Sequence, residues 1–370
     1  RRQRQMCIRD SKKADVRSAA VTLLSTIGSD ASLAELETRL DEESNDDVRD
    51  QMLMGLSAAW EKQGRIITRK DVEQRIEKTR AKLDKPIASW LQVDTLPPLY
   101  WSDGDRLSTD AVAYLVHRQS RAAQMRADVE VAPMYGLIDR ARSGEFARAV
   151  LKGFLASKQE AGDRWALALA GLLGNDGIVP EVTAQIREWV DTNRGKLAEY
   201  AVQALALLGS DAALVAVDAM AIRYRSKMKN VGRAAAESFN EAAAKLGITP
   251  EELGDRVVPW LGFEPGKPRI LEAGKARIDV KIGPDFKLAY KDLDKNKAIK
   301  TLPKSLPAET LQEFKDLSAN LREIIKAQQL RLENLLVRQR RWPARTWKSL
   351  FLQHPLLLPF AAKLVWGQYD

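Results

Sequence analysis

Leu197-Ala198-Glu199-Tyr200-Ala201-Val202-Gln203-Ala204-Leu205-Ala206-Leu207-Leu208-Gly209-Ser210-Asp211 is the stretch that decides the fold. Leu197, Tyr200, Ala201, Ala204, Leu205 and Leu208 recur at three- and four-residue steps, which places them on one helix face. Gly209 can take the left-handed conformation that ends a helix without a Cβ clash. Ser210 and Asp211 then offer oxygens to the unpaired N–H groups of the next helix. The phrase recurs as Ile27-Gly28-Ser29-Asp30 and Leu173-Gly174-Asn175-Asp176. Gly174, Gly209 and Gly247 stand 35 and 38 residues apart, and each follows an apolar stripe. A lone helix pair cannot bury its stripe, so neighbours must stack. The expected fold is mainly α: a HEAT-like helical-repeat solenoid with a small antiparallel β meander and a C-terminal helical segment. An irregular all-α domain is the competing expectation.

Working outward, residues 1–10 read Arg-Arg-Gln-Arg-Gln-Met-Cys-Ile-Arg-Asp. They match the translation of a transposase sequencing adaptor, so residues 1–11 are set aside as an artefact. The rival reading is a basic arm for nucleic acid. The adaptor match leads us to expect a reading frame assembled from fragments. The formal charge of the 370 residues is +9, and setting aside the arm's four arginines and one aspartate leaves +6. That is a mild excess over many mixed-charge segments. The one cysteine is Cys7, inside the arm, so the remainder offers neither a disulfide framework nor a thiolate metal site. Its absence fits a cytoplasmic protein. The most apolar segment, residues 350–366, carries Gln353, His354, Pro355, Pro359 and Lys363 and is too interrupted for a membrane span.

The expected solenoid covers residues 12–250. Val16, Ala19, Ala20, Leu23 and Leu24 form its first stripe, and Leu33, Leu36 and Leu40 the next. Thr68 and Ser108 or Thr109 are helix caps. Pro86, Pro97 and Pro98 mark a break near 84–107, where Trp90, Tyr100 and Trp101 are expected to wedge the connection onto the helices. Residues 251–306 form a linker and a meander whose strands fall at 270–271, 276–282, 286–290 and 298–302. Residues 307–370 form a long helix and short ones. In residues 350–366 apolar residues occupy more than one helix face, so this end is expected to be unfinished and to expose an apolar patch.

Gly247-Ile248-Thr249-Pro250-Glu251-Glu252-Leu253, Leu261-Gly262-Phe263, Leu302-Pro303-Lys304, Arg340-Arg341-Trp342, His354-Pro355-Leu356 and Leu364-Val365-Trp366-Gly367 resemble a bacterial family of unknown function. Its members are large proteins, some joined to a WGR domain and some labelled molybdate-metabolism regulators. The resemblance is strongest over 160–370. It implies a domain continuing past the Trp-Gly segment and a regulatory context, with no established activity.

No phosphate loop, dinucleotide glycine fingerprint or His-Glu-x-x-His occurs, and no nucleophile elbow accompanies His117 or His354. His354, before Pro355, reads as a structural cap. Asp41, Glu42, Glu43, Asp46 and Asp47 lack the spacing of a calcium loop and read as a solvated connection. No catalytic, cofactor or metal residue is therefore assigned. Two basic runs remain. Arg223, Arg225, Lys227 and Lys229 alternate around a helix end. Arg338, Arg340, Arg341, Arg345 and Lys348 flank Trp342 and Trp347, a pairing that can hold phosphates and stack bases. The leading expectation is a scaffold binding a protein partner within a larger regulatory protein. The alternatives are a nucleic-acid-binding solenoid using the Trp-flanked junction, and part of an enzyme whose active site lies beyond residue 370.

Overall fold

The apolar spacing from Leu197 to Leu208 becomes a helix in the computed structural model, and Gly209 ends it. Gly209 sits at φ 66° and returns its N–H to the Leu205 carbonyl, while the Ser210 hydroxyl accepts the Ala213 N–H. The structure describes residues 11–40, 42–79, 87–122, 124–226, 228–264, 267–274 and 276–368. The proposed adaptor residues 1–10, Asp41, Pro86 and Lys227 lie outside them. The chain divides into two compact units, one running through Val182 and the other from Thr183.

The first unit contains α1 Ala14–Ile27, α2 Asp30–Leu40, α3 Asp46–Lys62, α4 Arg69–Thr79, α5 Thr109–Ser120, α6 Ala132–Leu137, α7 Gly144–Ala156 and α8 Trp165–Leu173. Gly28, at φ 60°, ends α1 as Gly209 ends its helix. Val21, Leu36, Leu53, Leu56 and Trp60 join α1, α2 and α3 in one core. Thr68 and Asp71 cap α4 reciprocally, and the Ser108 hydroxyl caps α5. Trp90 stacks on Trp165 at 5.5 Å and meets Phe154 edge-on at 6.2 Å, so it wedges its connection against α7 and α8. Gly174 departs from the phrase. It is extended, at φ −72° and ψ 172°, because the chain enters a tight turn over Asp176–Ile178 in which Asn175 accepts the Gly177 N–H. Glycine is required there for closeness: a Cβ would run into the Ala170 carbonyl and the Ile178 side chain.

α9, Val179–Asp191, contains the boundary between the units. The second unit continues with α10 Gly195–Leu208, α11 Asp211–Arg223, α12 Lys229–Lys245 and α13 Pro250–Arg256. α12 packs against both α10 and α11. A Cβ at Gly232 would lie 2.6 Å from the Tyr224 carbonyl oxygen, so α12 passes tightly under the end of α11. Thr249 and Glu252 form a capping box at α13. An antiparallel meander follows: β1 Arg269–Ala273, β2 Ala276–Ile282, β3 Leu288–Asp292 and β4 Lys297–Ile299, in the order β1-β2-β3-β4. β3 starts later than the alternation suggests because Phe286 adopts φ 60° in the turn closed by the Gly283 N–H and Lys287 carbonyl. Val280 opposes Arg269 on one side and Tyr290 on the other. α14 Ala308–Val337, α15 Ala344–Trp347 and α16 Leu358–Ala361 complete the unit.

The expected apolar patch in residues 350–366 is largely absent. Leu350, Phe351, Leu356, Leu357 and Ala361 are buried with Val280, Ile282, Phe314 and Leu321. The sheet and α14 both contribute to this core, which is why more than one apolar face finds cover. Leu352, Leu358 and Val365 remain exposed. Among the described residues, no helix is long and apolar enough to cross a membrane.

Candidate functional site

The Trp-flanked basic run divides in three directions at the end of α14. Arg338 pairs with Glu251 of α13 at 2.9 Å, and Arg340 approaches Asp255 at 3.6 Å. Trp342 donates its indole N–H to Asp255 at 2.9 Å and packs edge-on to Phe351 and Trp366, at 5.1 and 6.1 Å. Trp347 meets Trp366 at 5.3 Å. Arg341, Arg345 and Lys348 are exposed. Both tryptophans thus serve an aromatic cluster, and Arg340 lies over the Trp342 ring at 5.9 Å.

Asp255 binds a third donor, the guanidinium of Arg331. Arg331 is on α14, only 5% exposed, and its Nε occupies space 2.8 Å from where a Gly254 Cβ would be. Its Nη1 is buried and makes no hydrogen bond. Burial pushes the Asp218 carboxyl of α11 above the usual carboxylate range, and the charge of Arg331 opposes that shift.

Arg331 and Asp218 line a cleft of about 600 Å³ walled by α11, α12, α13 and α14. Arg225, Lys229, Arg233 and Arg338 also line it, with Glu251 as the second acid and Ile222, Phe239 and Leu335 as apolar surface. Five cations therefore face two carboxyl groups. Arg225 and Lys229 come from the first basic run and Arg338 from the second. In the sequence the two runs are separate, with more than 100 residues between them. Only the packing of α11 and α12 near α14 brings them together.

A second, wider groove of about 1000 Å³ lies between the sheet and α14. Phe286, Leu288, Tyr290, Leu302, Phe314 and Ile325 give it an apolar floor, while Lys287, Lys300, Lys315, Arg322 and Lys326 outnumber Asp285 on its polar lining. The basic residues on α14 fall among its apolar positions and had no run to announce them.

His354 is 1% exposed and packs tilted against Trp260, with the ring centroids 4.1 Å apart. Its Nδ1 accepts the Leu356 N–H at 3.3 Å, and Nε2 faces the Val258 carbonyl at 3.4 Å. Burial lowers its pKa to about 4, so at neutral pH it is an uncharged structural link. In the acidic connection, Glu43 is tied to Arg17 and Asp46 to Arg121. Among the described residues no cluster of His, Cys, Asp or Glu has metal-site geometry.

Sequence reading missed a buried polar network in the first unit. Arg118 holds Asp128 at 3.1 Å and Glu130 at 3.3 Å, and reaches Asp50 at 2.7 Å. Arg49 and the Tyr114 hydroxyl also bond Glu130, each at 3.0 Å. Burial alone would raise Glu130, but Arg49 and Arg118 hold it below the usual range. Every member is engaged with another, which makes this a structural node rather than a ligand site.

Residues 297–370 match the profile of a family described as a domain of unknown function (DUF4132). Over 214 residues, 56% of this chain, the sequence is 29% identical to the uncharacterized protein YehI of Escherichia coli strain K12. The match spans 17% of that protein's length. Together these similarities support a bacterial family of unknown function. No solved structure matches the chain.

Proposed function

We propose that this chain is a HEAT-like helical-repeat module of a larger bacterial regulatory protein. It holds a protein partner by an acidic, amphipathic segment laid in the groove between the meander and α14. The observation that carries this reading is the lining of that groove. An apolar floor beside five basic side chains and one acid suits a helix or strand with one apolar and one acidic face. Apolar burial supplies affinity, and the lysine rim selects charge and speeds encounter. The repeated Gly–Ser–Asp helix junctions support a stacked scaffold that presents such a groove. The regulatory context rests on the resemblance to the WGR-linked family. A nucleic-acid role for the Trp-flanked junction has less support, since both indoles are engaged with Phe351 and Trp366.

A fluorescent peptide with leucines on one helical face and glutamates on the other provides the test. Anisotropy should report saturable, salt-sensitive binding. Lys315→Glu with Lys326→Glu should weaken it by about tenfold or more, since each reversal replaces attraction with repulsion. Binding that ignores both substitutions, or none at millimolar protein, removes this reading.

A further inference from the structure

We propose that the cleft walled by α11, α12, α13 and α14 is a binding site for a phosphorylated small organic molecule. It is a different cavity from the partner groove and stands without that reading. Its volume of about 600 Å³ falls in the range of small-molecule pockets. Arg225 and Lys229 line it as exposed cations with no ion-pair partner among the described residues. Arg331 is different in kind: a guanidinium 95% removed from solvent, fixed on one side by Asp255 and left with an unbonded Nη1. A buried donor without an acceptor is costly, and a guanidinium fits a carboxylate or a phosphate oxyanion through two parallel hydrogen bonds. Arg331, Arg338 and Arg233 are paired with Asp255, Glu251 and Glu237, so the charge left over is that of Arg225 and Lys229, which favours an anion of more than one charge. A carboxyl at Asp218 that resists ionisation removes part of the opposing charge. Ile222 and Leu335 give the non-phosphate part of the ligand an apolar surface. The required chemistry is therefore phosphate joined to an organic group.

Isothermal titration of the full chain with a nucleoside triphosphate, a sugar monophosphate, inorganic phosphate and a single-stranded oligonucleotide separates the sources. An organic phosphate should bind with unit stoichiometry and more tightly than inorganic phosphate. Arg225→Glu with Lys229→Glu should weaken it by about tenfold or more, as loss of two charge-assisted contacts requires. Both residues are exposed, so their replacement leaves the helix core intact, and an unchanged circular dichroism melt checks this. Asp218→Asn should tighten binding by removing the residual negative charge. Lys315→Glu with Lys326→Glu, in the other groove, should leave it unchanged, which separates failure of this site from failure of the partner groove. Three results overturn the proposal: no heat with either organic phosphate at millimolar concentration, equal affinity for inorganic phosphate and organic phosphates, or binding of the oligonucleotide alone.

Discussion

His354 shows how one residue can be read correctly in role while its physics stays hidden. Its place before Pro355 indicated a junction, and the structure makes it one, with both ring nitrogens directed at backbone groups of Leu356 and Val258. Its burial against Trp260 depended on residues almost a hundred positions away. The neutral form is the one the fold accepts, with a pKa near 4 against about 6.5 in the unfolded chain. Between those values the unfolded state binds the extra proton. The contribution to stability is therefore complete above the unfolded value and is lost as pH falls toward 4. At about pH 5 the loss amounts to ~2 kcal/mol. His354→Asn keeps an acceptor for the Leu356 N–H and cannot gain that proton. Urea unfolding at neutral pH and at pH 5 should show a smaller acid-induced loss in the variant. Equal losses would mean that the imidazole is protonated in the folded protein.

At the scale of elements, local chemistry made helix endings legible. Gly28 and Gly209 are left-handed caps, as a glycine before Ser-Asp suggests. Gly174 shares the spelling and differs in conformation, because the nearby Ala170 carbonyl and Ile178 decide it and neither belongs to the phrase. The strands were legible as a meander, but β3 lost its first two positions to a turn residue with positive φ. At Gly209 a Cβ would meet the Ala206 carbonyl oxygen at an ordinary 3.6 Å, so the penalty of Gly209→Val is backbone strain rather than collision. That strain should lower stability by about 1–3 kcal/mol, read from the denaturation midpoint. An unchanged midpoint would show that the α10–α11 junction relaxes freely.

At the scale of the whole molecule, what could not be read was convergence. Periodicity predicts which face of a helix is buried, but not which distant charges end up facing each other. Both clefts of the second unit and the Arg118 node of the first unit belong to this class. Arg118 ties α5 to Asp50 of α3 and to Asp128 and Glu130 in the connection before α6. Arg118→Met would fill similar space and leave two buried carboxylates without their principal cation. Unfolding stability should fall by about 3–5 kcal/mol, the usual penalty for breaking a buried pair from one side. A loss below about 1 kcal/mol would mean that Arg49 alone neutralises the site. The burial of residues 350–366 has the same origin: the apolar content was evident, while its cover came from a sheet and a helix separated from it in sequence.

Asp255, in the last turn of α13, has one carboxylate shared among Arg331, Arg340 and Trp342. For anyone editing this sequence, these positions form one design unit rather than four. Replacing one donor frees acceptor capacity that the other two can redistribute, so the effects of single and double substitutions there will not add. A library that varies residues 331, 340 and 342 independently will mostly sample broken combinations. Productive variants will be those in which the acid at 255 and its three donors change together.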